Sequence, residues 1–498
     1  MQKFKSIKCP SVSKNAQIFL LYLTIFLSSL ATAEDSKPVK VYILAGQSNM
    51  VGIGKASPSS TSKYATYINE NITRKNEGST LSIYKGSYDP KIDYDKQVAV
   101  ETHTVRMGYW PHARFPSIKG EQTQIVRGYI KISRSGRYSF RTQGKSICEI
   151  NGKIVCQSIG SADVKPKVIR YEPGIYSIKV TYNGVGQTFL KHTFWDLPGT
   201  LHSVVKGQGK YWHLVDVNGN WVVRDDVWYK GVVTATASKW LTVGCGAGSD
   251  KIGPELGFGW QLGEYHDEPV LILKASQGNR SIGFDFLPPG SERYEHNTKQ
   301  KDGSVLPMIY AGYKDSPWRW KQGAKPEPSN WYAGKQYDDC FKAAKDVLGN
   351  FDKHFPHWKG RKYEIAGFVW WQGHKDSGND AHRANYEKNL VHLINTLRKE
   401  FDAPDAPFVV GTVSFGGWQG MHKNFRDIAD AQLAVSDYSK YPMFEGNVKT
   451  VETRDFWKSA EVSPARQNFH YNQNGEVYYL VGDALGKGMI ELLKKPNK

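Results

Sequence analysis

The sequence predicts an α/β protein, a parallel sheet covered by helices and interrupted by an antiparallel β insertion. Three observations predict it. Short continuous apolar runs recur at 39–45, 270–273, 365–371 and 408–413, the pattern of strands buried on both faces. Helical patterns separate and follow them: Leu390, Leu393, Ile394, Leu397 and Phe401, then Val477, Leu480, Val481, Ala484 and Leu485. Strands alternating with helices argue for a parallel sheet. Residues 93–196 break that alternation and contain no convincing helix.

Within that break, Ile130-Lys-Ile132 and Tyr138-Ser-Phe140 alternate with period two across Arg134-Ser135-Gly136. Tyr176, Ile178, Val180 and Tyr182 also share one face. Short strands separated by turn signals read as an antiparallel sandwich, and a surface loop of the α/β part tolerates such an insertion.

Composition fits this reading. The 498 residues are 40% hydrophobic and 23% charged, which excludes disorder, coiled coil and collagen. With 48 glycines and 15 tryptophans, the chain suits an enzyme or a carbohydrate binder better than a helical bundle. The net charge is +18, dispersed without long blocks, so a solvated surface accounts for most of it.

The first 33 residues read as an export signal. Lys3, Lys5, Lys8 and Lys14 precede an apolar run at 18–30 that ends in Ala31-Thr32-Ala33, the small-x-small pattern of a cleavage site. The run is too short and broken for a comfortable membrane span. Removing 1–33 leaves a charge of +14 and an expected exported, periplasmic or extracellular chain, with no membrane attachment after cleavage. For such a chain acidic polysaccharide is a more natural electrostatic partner than nucleic acid.

Export also permits disulfides. Cys148 and Cys156 flank Asn151-Gly152. A two-residue turn would pair Ile150 with Lys153 and leave the cysteines one register apart; a three-residue loop with a bulge would set Cys148 opposite Cys156. The second register is preferred, with a disulfide. Cys340 falls at helical spacing with Phe341, Ala344, Val347 and Leu348, as a buried thiol does. No zinc-binding signature is present, and the chemistry envisaged needs no cofactor.

The chemistry starts at Ser48, where the first strand ends in Gly46-Gln47-Ser48-Asn49-Met50. Open α/β sheets place their sites at the carboxyl ends of strands. Serine there is more often a helix cap than a nucleophile, and Met50 breaks the Gly-x-Ser-x-Gly elbow. Its companions alter that balance. They are Gly253-Pro254-Glu255-Leu256-Gly257, the stretch Lys274-Ala275-Ser276-Gln277-Gly278-Asn279-Arg280-Ser281, Trp370-Trp371-Gln372-Gly373-His374, and Phe469-His470-Tyr471-Asn472.

In that order these blocks resemble the SGNH hydrolases, specifically the sialate O-acetylesterase and carbohydrate esterase family six branch, over 38–92 and 197–498. The resemblance implies a three-layer SGNH-like fold, with the esterase domain at 34–92 and 197–498. It implies an acetylated carbohydrate as substrate. Ser48 is then the nucleophile and His470 its base, since serine needs a neighbouring base and neutral imidazole serves near pH 7. The backbone N–H groups of Ser48 and Gly278 and the side-chain amide of Gln372 would form the oxyanion hole. Gln372 could instead pin a loop, but the oxyanion role is preferred.

The chain departs from the family pattern twice. Glu is common where His374 stands, and the usual aspartate three residues before the histidine is Gln467. Glu452, Asp455, Asp376 and Glu461 are the acids to consider, with Asp455 preferred because it precedes Phe456-Trp457 near the terminal block. Of Trp370 and Trp371, one is expected in the core and the other against a sugar ring; Trp371 is taken as the substrate contact.

The segment 93–196 resembles the protective-antigen-type β-sandwich through Ser135-Gly136-Arg137-Tyr138, Ile150-Asn151-Gly152-Lys153 and Glu172-Pro173-Gly174-Ile175-Tyr176. It would bind carbohydrate or wall the site. The overall expectation is an exported carbohydrate O-acetylesterase; the alternative is a glycan-binding protein with a decayed esterase core.

Overall fold

A computed structural model describes residues 37–59, 64–68, 79–105, 109–110, 120–160, 166–184, 188–300 and 302–494. The leader expected at 1–33 lies outside the described residues.

Numbering the strands of the central sheet in chain order, they are β1 (Val39–Gly46), β2 (Val227–Gly231), β3 (Ser238–Trp240), β4 (Val270–Ser276), β5 (Tyr363–Trp371), β6 (Phe408–Gly411) and β7 (Val448–Val451). Among the described residues they run in the order β3-β2-β4-β1-β5-β6-β7, all parallel except the antiparallel edge strand β3. Every residue of β4 is buried, as its unbroken apolar run requires. The helices α1 (Ser48–Val51), α2 (Glu255–Tyr265), α3 (Lys335–Gly349), α4 (Asp380–Glu400), α5 (Lys423–Ala434) and α6 (Gly475–Leu493) accompany it.

Register places the chemistry. Gly46, the last residue of β1, lies between Ser276 of β4 and Trp371 of β5. The segments that follow these three strands therefore leave the sheet at one point, bringing Ser48, Gly278 and Gln372 together. Gly46 has φ +152°, and a Cβ on it would stand 2.2 Å from the Trp371 carbonyl oxygen, so the close approach of β1 to β5 needs glycine.

One buried charge locks this junction. Lys274 in β4 is fully buried and its Nζ donates to the Val51 carbonyl (2.9 Å), the Cys245 carbonyl (3.1 Å) and Glu255 Oε2 (2.8 Å). Glu255 Oε1 accepts from Gly253 N–H at 2.8 Å. The Gly-Pro-Glu-Leu-Gly block is thus a tether for the end of α1, with each buried ion hydrogen-bonded as burial demands.

Two antiparallel sheets stand apart from the central one. The larger holds Lys153–Gly160, Gly144–Ile150, Gly174–Asn183, Gln122–Ile132, Ser79–Lys85 and Glu101–Val105 in that order, with Ala65–Ile68 also paired to Gln122–Ile132. The smaller holds Ile169–Tyr171, Gly136–Thr142, Thr188–Phe194 and Tyr109–Trp110. Val126, Ile130 and Val180 of the first share a core with Tyr138, Phe140 and Phe194 of the second. Ala65–Ile68 and Ser79–Lys85 belong here by pairing, so the boundary expected at residue 93 falls inside the antiparallel part.

The Cys148–Cys156 hairpin combines both registers weighed. Asn151 (φ 47°) and Gly152 (φ 71°) form a two-residue turn pairing Lys153 with Ile150. A register shift between Ile154 and Cys156 then sets Cys156 opposite Cys148. The expected disulfide is absent: both stand as free thiols in hydrogen-bond contact. Cys340 is a buried free thiol on α3, and Gln336 Nε2 donates to its sulfur at 3.3 Å.

Candidate active site

Ser48 opens the four-residue helix α1 directly after β1, and its side chain is half-buried. His470 Nε2 lies 3.0 Å from Ser48 Oγ, although the two are 422 positions apart. The histidine sits on a short irregular turn ahead of α6, whose first N–H groups at Glu476 and Val477 are capped by the Asn474 side chain.

That turn holds an uncommon backbone. Tyr471, Asn472 and Gln473 all have positive φ (48°, 53° and 56°), at roughly 1–2 kcal/mol for each non-glycine residue. Local bonds offset the cost. The Tyr471 hydroxyl accepts from Ser414 N–H at 3.2 Å, Asn472 Oδ1 accepts from Gln467 N–H at 2.9 Å, and Asn472 Nδ2 donates to the Lys458 carbonyl at 3.0 Å. Asn49, next to the serine, donates from Nδ2 to the Phe469 carbonyl (3.2 Å) and accepts from the Tyr478 hydroxyl (2.6 Å). The Ser48 helix and the His470 turn are therefore bound directly to each other.

No acid completes the pair. His470 Nδ1 is buried and has no hydrogen-bond partner among the described residues. The expected Asp455 is exposed, and its Oδ1 accepts from Trp418 Nε1 at 2.7 Å. Glu452 holds Arg454, and Asp376 accepts from the N–H groups of Ile282 and Gly283. Glu461 faces Arg466 at 3.9 Å.

Burial acts on His470 instead. Its partial burial, and then the neighbouring His374 and Lys251, lower its pKa to about 4. A neutral imidazole able to accept a proton is the resulting state at neutral pH.

Gly278 lies beside Ser48. A Cβ added to it would stand 3.7 Å from Ser48 Cβ, an ordinary contact that would nonetheless occupy space beside the hydroxyl.

Gln372 is placed differently from expectation. It is buried, and Nε2 lies within 2.6–3.0 Å of Gln47 Oε1, the Arg280 carbonyl and Asp376 Oδ2, while Oε1 accepts from the Tyr386 hydroxyl at 2.9 Å. An amide has two N–H bonds, and internal acceptors take both. Gln372 pins three loops together rather than offering a free donor to an oxyanion. Burial raises the pKa of Asp376 within this network to about 6.

Trp371 does not meet solvent. It is 1% exposed, stacks on Tyr471 at 5.3 Å and donates from Nε1 to the Thr412 carbonyl; Trp370 is buried as well. The aromatic surface near the pair belongs to other residues. Phe469 is 37% exposed and packs on His470 (4.5 Å), and His374 stacks on Phe469 at 4.9 Å with the rings 16° apart.

Beside this wall opens a cleft of about 660 Å³ lined by Asn279, Arg280, Phe284, Trp318, His374 and Lys375, among others. Asn279 and Arg280 follow Gly278, and His374 stacks on Phe469, so the cleft lies next to the Ser48–His470 pair, which does not itself line it. Trp318 is 37% exposed, with Arg319 over its ring at 4.2 Å. Among the described residues no three His, Cys, Asp or Glu side chains converge as metal ligands would.

Sequence reasoning missed Asn49, Tyr478 and Trp318. The first two lie just past a strand end and in an apolar helix, with nothing in the sequence to announce that they meet. Trp318 enters from a small antiparallel sheet, Tyr294–Lys299, Val305–Tyr310 and Arg319–Lys321, that the hydropathy pattern does not reveal.

A serine and a histidine in hydrogen-bond contact at the carboxyl end of a parallel sheet form the constellation of a nucleophilic hydrolase. A family model described as carbohydrate esterase, sialic acid-specific acetylesterase, matches residues 233–491. The chain belongs to that family and is a carbohydrate O-acetylesterase. The matched residues include Gly278, Gln372 and His470, whereas Ser48 precedes them.

No curated protein matches the chain. Among solved structures, a carbohydrate acetylesterase from Xanthomonas citri aligns over 73% of this chain and 72% of its own, at 11% identity and TM-score 0.33. NanS aligns over 55% and 89%, at 10% identity and TM-score 0.31. A protein from Arabidopsis thaliana aligns over 55% and 88%, at 13% identity and TM-score 0.32. At these scores the family assignment rests on the family model.

Proposed function

We propose that the chain is an exported serine esterase that removes O-acetyl groups from carbohydrate through an acyl-enzyme. The observation that carries this is the 3.0 Å contact between Ser48 Oγ and His470 Nε2. Ser48 Oγ attacks the acetyl carbonyl while His470 Nε2 takes its proton. The imidazolium then returns that proton to the departing sugar oxygen, and water, activated by the same nitrogen, releases acetate from Ser48. The backbone N–H groups of Ser48 and Gly278 face the developing oxyanion.

The pair works as a dyad. The ring of His470 is held by the clamp of Asn49 and Tyr478 and by Phe469, in place of a carboxylate on Nδ1. The sugar occupies the cleft, with Trp318 as an apolar face. Arg280 in that cleft faces Asp285, which also lines it, at 3.9 Å, whereas Lys375 has no carboxylate partner among the described residues, and this one uncompensated cation suits an acidic polysaccharide. The fold is SGNH-like, three-layered, and the two antiparallel sheets form an inserted β-sandwich of the protective-antigen type.

The test is acetate release from a panel of acetylated neutral and acidic glycans by mature wild type and Ser48→Ala. Release by wild type and its near-complete loss in the variant is expected. Equal release by both proteins would refute Ser48 as nucleophile.

A further inference from the structure

Trp418 is an unusual surface residue. It is 55% exposed, yet its ring is fixed on two sides. Nε1 donates to Asp455 Oδ1 at 2.7 Å, and the Arg454 guanidinium lies 4.0 Å from the ring centroid over one face. Arg454 is itself anchored: its backbone N–H donates to Glu452 Oε1 at 2.8 Å and its guanidinium to Glu452 Oε2 at 2.5 Å. Glu452 Oε1 also accepts from Thr412 Oγ1 at the end of β6. A chain of polar contacts therefore runs from the sheet to the indole, with Arg454 over the ring while the residue stays 55% exposed.

The backbone is equally constrained. Trp418 lies in a four-residue helical turn, Gly417–Gly420, entered through Gly416 and Gly417 at φ 94° and 62°. A Cβ on Gly416 would meet the Gly420 carbonyl oxygen at 2.2 Å, so this turn is closed tightly. An exposed aromatic of this size normally loses conformational freedom on binding; here that cost is already met by the fold.

Its place is the rim of the site. Phe415, three residues earlier and so at most about 11 Å away along the chain, packs on His374 at 5.8 Å and on Tyr471 at 4.7 Å. Trp457, two residues beyond Asp455, also packs on Tyr471, at 6.1 Å. Trp418 is thus held by the elements that hold His470, and it is not among the residues lining the cleft.

We propose that Trp418 is a stacking platform for a sugar unit flanking the one that carries the ester, so that the substrate is an oligo- or polysaccharide chain rather than a free monosaccharide. The apolar face of a pyranose matches an exposed, rigid indole, and Asp455 beside it accepts sugar hydroxyls as well as the indole N–H. This deepens the esterase reading and rests on it.

The experiment compares mature wild type, Trp418→Ala and Trp418→Phe on acetylated xylan, acetylated polygalacturonate, mono-O-acetylated monosaccharides and para-nitrophenyl acetate. Trp418→Ala is expected to raise KM for the preferred polymer on the order of tenfold, the scale of one lost aromatic contact. Trp418→Phe recovers part of it, and kcat/KM on para-nitrophenyl acetate stays within about twofold. Unchanged KM on the polymer, or an equal loss on polymer and small ester, overturns the proposal. So does turnover of the monosaccharides with no polymer deacetylated, and none bound by Ser48→Ala. A failure of the esterase reading is seen separately, as para-nitrophenyl acetate hydrolysis that survives Ser48→Ala.

Discussion

The hydroxyl of Tyr478 donates to Asn49 Oδ1 at 2.6 Å, joining the final helix to the residue that follows Ser48. The same hydroxyl lies 3.3 Å from the His470 carbonyl, and Asn49 Nδ2 holds the Phe469 carbonyl. With no carboxylate on His470 Nδ1, this clamp is what sets the distance between serine and base. Tyr478→Phe should lower kcat on small and large esters alike, roughly tenfold to a hundredfold, because small misplacements of reacting groups are costly. KM should change little. Steady-state kinetics on para-nitrophenyl acetate checks both.

Gly278 offers a cleaner substitution. The added methyl of Gly278→Ala meets Ser48 at 3.7 Å and finds no closer neighbour, so stability should hold within about 0.5 kcal/mol. In the proposed reaction the methyl would crowd the acetyl group bound at Ser48, and activity should fall at least roughly tenfold. Thermal unfolding and acetate release, measured on one preparation, separate the two effects.

Gln372 is predicted to act through structure. Gln372→Ala leaves the Asp376 carboxylate, the Tyr386 hydroxyl and Gln47 Oε1 short of a buried partner. The expected loss is about 2–4 kcal/mol of stability. A denaturant titration reads it directly. A variant as stable as wild type but without turnover would instead return Gln372 to the oxyanion hole.

The pH profile follows from the burial of His470. Its pKa is lowered to about 4 by burial, with His374 and Lys251 adding to the effect. The base works only when neutral, so kcat/KM should rise with pH through about 4 and stay level across neutrality. A limb near 6.5 would mean that the surroundings of His470 do not act on it as described. The same depression links to stability. Protonation favours the unfolded chain, where the ring titrates near 6.5, so this contribution is full above that pH and declines below it.

Much of this was readable from residue patterns. The unbroken apolar runs located β1, β4, β5 and β6, because strands buried on both faces leave no alternation to misread. Period two located most of the antiparallel part, but Ala65–Ile68 and Ser79–Lys85 were missed, since their membership depends on long-range pairing with Gln122–Ile132.

Within the site, local motif order was informative and side-chain direction was not. Nothing local distinguishes Trp371 buried on Tyr471 from Trp418 turned to solvent. Asp455 was chosen for its neighbourhood, but its carboxylate accepts from an indole N–H. The three-residue loop preferred at Asn151-Gly152 is a two-residue turn, and Cys156 comes opposite Cys148 only through a bulge further along the strand, which arises from the sheet beyond the turn.

The most direct test of the account is covalent. Diethyl para-nitrophenyl phosphate reacts with serines activated by a neighbouring base, and peptide mass spectrometry locates the adduct. The account predicts a single diethylphosphoryl group on Ser48 in mature wild type, and almost none after His470→Ala. Labelling of a different residue, or labelling of Ser48 undiminished by His470→Ala, would contradict a Ser48–His470 dyad.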